Sequence, residues 1–262
     1  MTSIAFLGSH PLGEACLRRL HDHPDAEVPI VITYPRDEKH WWDGSVHDLA
    51  LELGYEVLTL SEEEDLLEYE FDWLLSVYYP NILEKALLDH PQEGALNLHQ
   101  AELPRYRGSN VFSHSIMNAR DDDYWQHGTT LHFMAPRVDA GDVVARRFAE
   151  ITEEDTARSL YERVREESVA LFEEELPNIV DSSVAEDRTP QESFDGERYY
   201  YAKDSLDDLK EIPIEALSNP DREKELYDRI RALDFPPPHE PAWTRLNGKK
   251  VYLTKDGYNR FE

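Results

Sequence analysis

Short apolar runs that end in glycine or a polar turn alternate with helical patterns along most of this chain, and that alternation narrows the possible folds more than any single residue does. SIAFLG (3–8) precedes LGEACLRRLHDH (12–23), whose apolar positions Leu12, Ala15, Cys16 and Leu20 recur at helical spacing. VPIVITY (28–34) reads as a second strand, SVHDLALELG (45–54) as a helix with a serine cap and a closing glycine, and YEVL (55–58) as a third strand. FDWLLSVYY (71–79) is too apolar and β-prone for a surface element, NILEKALLDH (81–90) is helical, and GALNLH (94–99) is the next strand. This order predicts an α/β, Rossmann-like, mostly parallel sheet with helices on both faces.

The pattern predicts a further helix over 109–118, strands at TTLHFM (129–134) and DVVARRFAEI (142–151), and a long helix over 155–176 that keeps Leu160, Val164, Val169, Leu171 and Phe172 near one face. After VDSS (180–183) the composition turns polar, and TPQESFDGERYYYAKDS (189–205) reads as linker or surface extension. The expected division is a catalytic domain over 1–180 and a small C-terminal α+β appendage over 181–262. That appendage comprises a helix at REKELYDRIRAL (222–233), a proline-rich turn at FPPPHEP (235–241) and a hairpin around Asn247-Gly248.

At 262 residues the chain can bury a sizeable core. It has no apolar run near the roughly 18 residues of a membrane span and no secretory leader pattern, so the expected location is cytoplasmic, with no membrane partner. The single cysteine, Cys16, fits a reducing compartment and a packing role. The 55 acidic residues against 27 basic give a net charge of −28, a field that repels nucleic acid and suggests a halophilic surface. Basic residues occur singly or in pairs rather than as a patch.

Several motifs fail as sites. GSHPLG (8–13) is neither a GxGxxG turn nor a P-loop and reads as a structural turn; eleven histidines include no HExxH, so no metal is expected. Asp121, Asp122 and Asp123 read as a solvated loop, and Ser113-His114 has no third partner for a hydrolase triad. Asn97 and His99 differ. Two apart on a strand, they share one face at its C-terminal end, where parallel α/β sheets bind ligands.

LNLHQAELPRYRG (96–108) resembles the signature of the 10-formyltetrahydrofolate-dependent formyltransferases, and HGTTLHFMAPRVDAGDVV (127–144) resembles their second block. The similarity spans residues 4–178, with SVYYPNIL (76–83) matching the stretch beside the folate pocket and EITEEDTARSLYERV (150–164) the closing helix. The resemblance implies a catalytic trio of Asn97, His99 and Asp139, with His132 as a supporting histidine close by. It implies a donor site for 10-formyltetrahydrofolate bordered by Tyr78, Tyr79, Pro80, Asn81, Ile82, Val138 and Asp142. Arg107, Ser109 and Asn110 fall on the acceptor side, where Arg107 either orients the loop or meets an anionic substrate.

The sequence departs from the family at Asn110-Val111, where relatives have proline, and at QAELP (100–104), where they have serine before Leu-Leu-Pro. Acceptor identity is what these departures put in question. The tail resembles that of the sugar N-formyltransferases, which implies a nucleotide-linked amino sugar as acceptor and a homodimer. Methionyl-tRNA formylation is the alternative, kept open because high-salt proteins bind tRNA despite acidic surfaces. A formyltetrahydrofolate hydrolase and a non-catalytic folate-binding relative are further alternatives.

Overall fold

A computed structural model describes residues 1–237 and 239–258, so Pro238 of the proline-rich turn lies outside the described residues. In chain order the elements are β1 (Thr2–Gly8), α1 (His10–Asp22), β2 (Ala26–Glu27), β3 (Val31–Thr33), α2 (Val46–Glu52), β4 (Val57–Thr59), β5 (Trp73–Val77), α3 (Lys85–Leu88) and β6 (Gly94–His99). They continue with β7 (Tyr106–Gly108), α4 (Val111–Ala119), β8 (Gln126–Phe133), β9 (Val143–Glu150), α5 (Ala157–Val180), β10 (Tyr199–Tyr201), α6 (Glu223–Ala232), β11 (Trp243–Leu246), β12 (Lys249–Tyr252) and α7 (Lys255–Tyr258).

The main sheet runs β4-β3-β1-β5-β6-β8-β9, with β2 paired to the start of β1. The strands from β4 to β6 are parallel, and β8 and β9 join antiparallel. The predicted α/β fold with a mostly parallel sheet is the one observed. Chain order reverses at β1, which has β3 on one side and β5 on the other; this is where open α/β sheets leave a crevice beyond their carboxyl ends. The alternation within β5 shows why both faces must be covered. Trp73, Leu75 and Val77 pack with Leu17 and Leu20 of α1 and Leu171 and Phe172 of α5, whereas Leu74 packs with Ala5, Ile32, Leu66 and Leu87 on the opposite face.

Three segments differ from their sequence patterns. Residues 81–90 hold only the short α3, because Asn81 directs its amide to Glu63 Oε2 (2.9 Å) and Leu60 O (3.4 Å) instead of entering a helix. The closing helix continues past Pro177 to Val180, where burial of Ile179 and Val180 outweighs the missing N–H of the proline. The segment read as linker forms β10, which pairs parallel with β7 in the register Tyr199↔Tyr106, Tyr200↔Arg107 and Tyr201↔Gly108. Stacking of Tyr199 on Tyr106 reinforces that pairing.

Further along, Arg231 is fully buried; it pairs with Asp228 and donates to the carbonyls of Thr152 and Asp155, tying α6 to the start of α5. Asn247 (φ 50°) and Gly248 (φ 76°) turn β11 into β12, the conformation the Asn-Gly pair favours.

Candidate active site

Asn97 lies in β6 between Ser76 of β5 and His132 of β8, while His99 lies opposite Thr130. The period of two in the strand places both side chains on one face. The Asn97 amide donates from Nδ2 to His132 Nε2 at 3.1 Å, and His132 Nδ1 donates to Phe133 O at 2.7 Å. This pattern needs a neutral His132. Burial favours that state, lowering the imidazole pKa against the opposing pull of Asp139. One Asn97 N–H is thereby fixed, which leaves the other N–H as a donor of defined direction.

Asp139 arrives from the loop between β8 and β9. Its Oδ2 lies 3.7 Å from His99 Nε2, and its Oδ1 lies 3.8 Å from His132 Nε2. The Gly108 amide donates to Asp139 Oδ2 at 3.0 Å. Burial pushes this carboxyl upward, but His99, the Gly108 amide and Arg107 outweigh it and hold the group below the usual carboxylate range. His99 Nε2 also lies 3.3 Å from Tyr106 O, so its hydrogen points toward the carbonyl and the carboxylate. Among the described residues Nδ1 has no hydrogen-bond partner, and it is the nitrogen left basic.

Glycine is required at two places beside this loop. A Cβ on Gly141 would stand 1.9 Å from Phe133 O, and one on Gly108 (φ 87°) would stand 2.2 Å from Tyr201 O. Gln191, from the segment read as linker, donates to Asp139 O and Gly141 O, both at 2.8 Å, and so fastens the Asp139 turn (φ 50°). No sequence pattern singled out Gln191.

The other expected residues separate into groups. Tyr78 (φ 55°) leaves β5 and packs against His10 with the rings tilted and their centroids 3.8 Å apart, while Tyr79 turns away and donates to Glu63 at 2.7 Å. Pro80 is half-buried, Asn81 and Ile82 are exposed, and Val138 and Asp142 flank the Asp139 turn half-buried. Among the described residues the amides of Asn81 and Ile82 meet no backbone carbonyl. With the 70% exposed Ile82 side chain beside them, they offer what a flat, amide-edged heterocycle needs: free donors and an apolar surface. Ser109 donates its amide to Tyr201 O, and Asn110 gives its side chain to Ala202 O, Lys203 O and Ser205 Oγ, so Asn110 holds the 202–205 segment and stands apart from the trio. Arg107 is half-buried beside Gly108, with its Nε buried and unpaired.

The turn read as purely structural does more than reverse the chain. Ser9 Oγ donates to Tyr78 O at 2.5 Å and lies 2.8 Å from His10 Nδ1, and Ser9 N donates to Val77 O at 3.1 Å. His10 (φ 64°) also stacks on Trp42 at 3.5 Å. Two aromatic residues in left-handed backbone conformations, one after β1 and one after β5, thus brace each other at the reversal of strand order.

The formyl transferase family model matches residues 56–176. The methionyl-tRNA formyltransferase of Bacillus licheniformis is 30% identical over 267 residues, covering 97% of this chain and 79% of that protein. A 4-N formyltransferase from Francisella tularensis shares the fold with a TM-score of 0.77 at 17% identity, covering 97% of this chain and 96% of that one. The N-formyltransferase from Helicobacter canadensis, solved with folinic acid and dTDP-3-aminofucose, has a TM-score of 0.74 at 19% identity, with coverage of 97% and 87%. The chain belongs to the formyltransferase family, a group-transfer class of enzyme. It is a folate-dependent formyl-transfer enzyme whose donor is 10-formyltetrahydrofolate.

Proposed function

We propose that the enzyme moves the formyl group of 10-formyltetrahydrofolate to the primary amine of a nucleotide-linked amino sugar, with Asn97, His99 and Asp139 as its catalytic residues. The observation that carries the chemistry is the directed arrangement of the trio: an amide N–H fixed by His132 and an imidazole oriented by Asp139. The amine lone pair forms the new C–N bond while the carbonyl electrons move onto oxygen, where the free Asn97 N–H stabilises the oxyanion. His99 Nδ1 takes the proton lost by the amine, and the Asp139 carboxylate steadies the resulting imidazolium. As the intermediate collapses, the bond to the folate nitrogen breaks and that nitrogen receives the proton. The 3.7 Å between His99 and Asp139 has to shorten for a full hydrogen bond, which substrate binding commonly brings about. The donor fits against Tyr78, Pro80, Asn81 and Ile82 on one side and Val138 and Asp142 on the other.

A small acceptor is supported by how the basic side chains are used. Arg19, Arg36, Arg105, Arg120, Arg147, Arg158 and Arg163 are all engaged by carboxylates, which reduces the cationic surface available to a polynucleotide. The solved structures with this fold that are described above are an N-formyltransferase with an amino-sugar nucleotide and a 4-N formyltransferase. One observation favours the second reading, transfer to methionyl-tRNA: the 30% identity to the Bacillus licheniformis enzyme. Assaying 10-formyltetrahydrofolate turnover against amino-sugar nucleotides and methionyl-tRNA separates the two. The first reading expects formylated sugar nucleotide; formylation of tRNA alone would overturn it.

A further inference from the structure

The chain has about two acidic residues for every basic one, and most described arginines meet a carboxylate. Arg107, Arg137 and Arg198 nevertheless form no ion pair among the described residues, although all three stand around the loop of Asp139. Arg107 is in β7 next to Gly108, whose amide bonds Asp139. Arg137 is exposed at the opening of the same loop, its carbonyl accepting from Ala140 N at 3.3 Å. Arg198, also exposed, donates to Gln191 O at 3.0 Å and Phe194 O at 2.9 Å, and Gln191 in turn donates to Asp139 O.

The three are close enough to feel one another. Burial, then Arg137 and Arg198, push the Arg107 pKa down, against the opposing pull of Asp139 and Glu192. Nε of Arg107 is buried and unpaired. Like charges that Asp139 and Glu192 offset only in part repel, and an anion brought from outside removes that repulsion. Planar guanidinium forks suit the oxygens of phosphate in particular.

We propose that Arg107, Arg137 and Arg198 form the subsite for the phosphate groups of the acceptor, adjoining the formyl-transfer centre; this rests on the reading of the acceptor as a nucleotide-linked amine. The subsite would hold the diphosphate while the sugar amine reaches toward His99. The carboxylates of the donor's glutamyl tail are the other source of negative charge in the reaction, and the test separates the two.

Inorganic pyrophosphate and 5-formyltetrahydrofolate, a donor analogue, are titrated separately into the wild-type enzyme, Arg137→Gln and Arg137→Lys by calorimetry. Arg137 is chosen because its side chain makes no hydrogen bond among the described residues, and thermal melts verify that each variant is folded. Pyrophosphate binding is expected to weaken about tenfold in Arg137→Gln and to recover partly in Arg137→Lys, with 5-formyltetrahydrofolate binding unchanged. Equal pyrophosphate affinity in all three proteins, or no binding to the wild type, would overturn the subsite. A loss confined to 5-formyltetrahydrofolate would overturn it too, assigning the cluster to the donor. Because these titrations need no turnover, a subsite that binds pyrophosphate in an enzyme that formylates no sugar nucleotide would mean that only the acceptor reading has failed. An unchanged KM for a sugar nucleotide that Arg137→Gln does formylate would sink the subsite alone.

Discussion

The direction of one N–H bond decides what Asn97 can do. An asparagine amide free to rotate offers donor and acceptor edges alike, whereas the bond to His132 Nε2 selects one orientation. Removing that donor by Asn97→Ala is expected to lower kcat by about 10²- to 10³-fold, the usual loss for one oxyanion donor. His99→Ala and Asp139→Ala should bring transfer to background, with far-ultraviolet dichroism unchanged in all three proteins. Turnover near wild type in any one of them would remove that residue from the trio. The pair Asn97 and His99 was legible in the sequence because polar residues two apart interrupt an apolar strand, and the resemblance supplied Asp139 on the far side of a loop. Gln191 was not legible: a glutamine in a polar stretch carries no signal until the chain folds back and places its amide between two carbonyls.

Elements show the same division between what repeats locally and what depends on return of the chain. The βα alternation exposed the parallel sheet, since each helix and strand buries its own periodic face. The strand β10 depends on meeting Tyr106–Gly108 almost a hundred residues away, and three consecutive tyrosines within a polar segment do not announce that partner. The brace between the turn after β1 and the end of β5 is likewise a product of strand order, because β5 lies beside β1 although more than sixty residues separate them. Ser9→Ala removes the bond to Tyr78 O while sparing the sheet. It is expected to raise KM for 10-formyltetrahydrofolate several-fold with kcat nearly unchanged, because Tyr78 opens the stretch proposed to border the donor. A fall in kcat at constant KM, or no change in either, would show that the turn does not position this stretch.

The whole molecule carries its histidines in a way that makes its stability depend on pH. Burial lowers the pKa of His114 and His127 to about 4 and, aided by the charge of His40, that of His10 to about 3, all from 6.5. His127 is additionally pulled upward by the Gln100 carbonyl and downward by His99. Between these values and 6.5 the unfolded chain binds protons that the folded one refuses, so stability rises with pH across that window and falls on acidification. Each site contributes a slope of at most about 1.4 kcal/mol per pH unit. Thermal melts are therefore expected to show a falling Tm from pH 6.5 toward 4, reduced in slope by His127→Gln if that variant folds. A Tm independent of pH over this range would mean that these imidazoles are not held neutral.

The acidic surface bears on the acceptor at this same scale. Most described arginines are engaged by carboxylates, and Arg107, Arg137 and Arg198 are among those that are not; gathered beside Asp139, they make a small target suited to a phosphate-bearing molecule. Mass spectrometry of a reaction containing 10-formyltetrahydrofolate, the enzyme and a panel of amino-sugar nucleotides, with methionyl-tRNA in parallel, tests this most directly. The expected result is an N-formylated sugar nucleotide that is absent when His99→Ala replaces the wild type. Formyl-methionyl-tRNA with every sugar nucleotide left unmodified would contradict it.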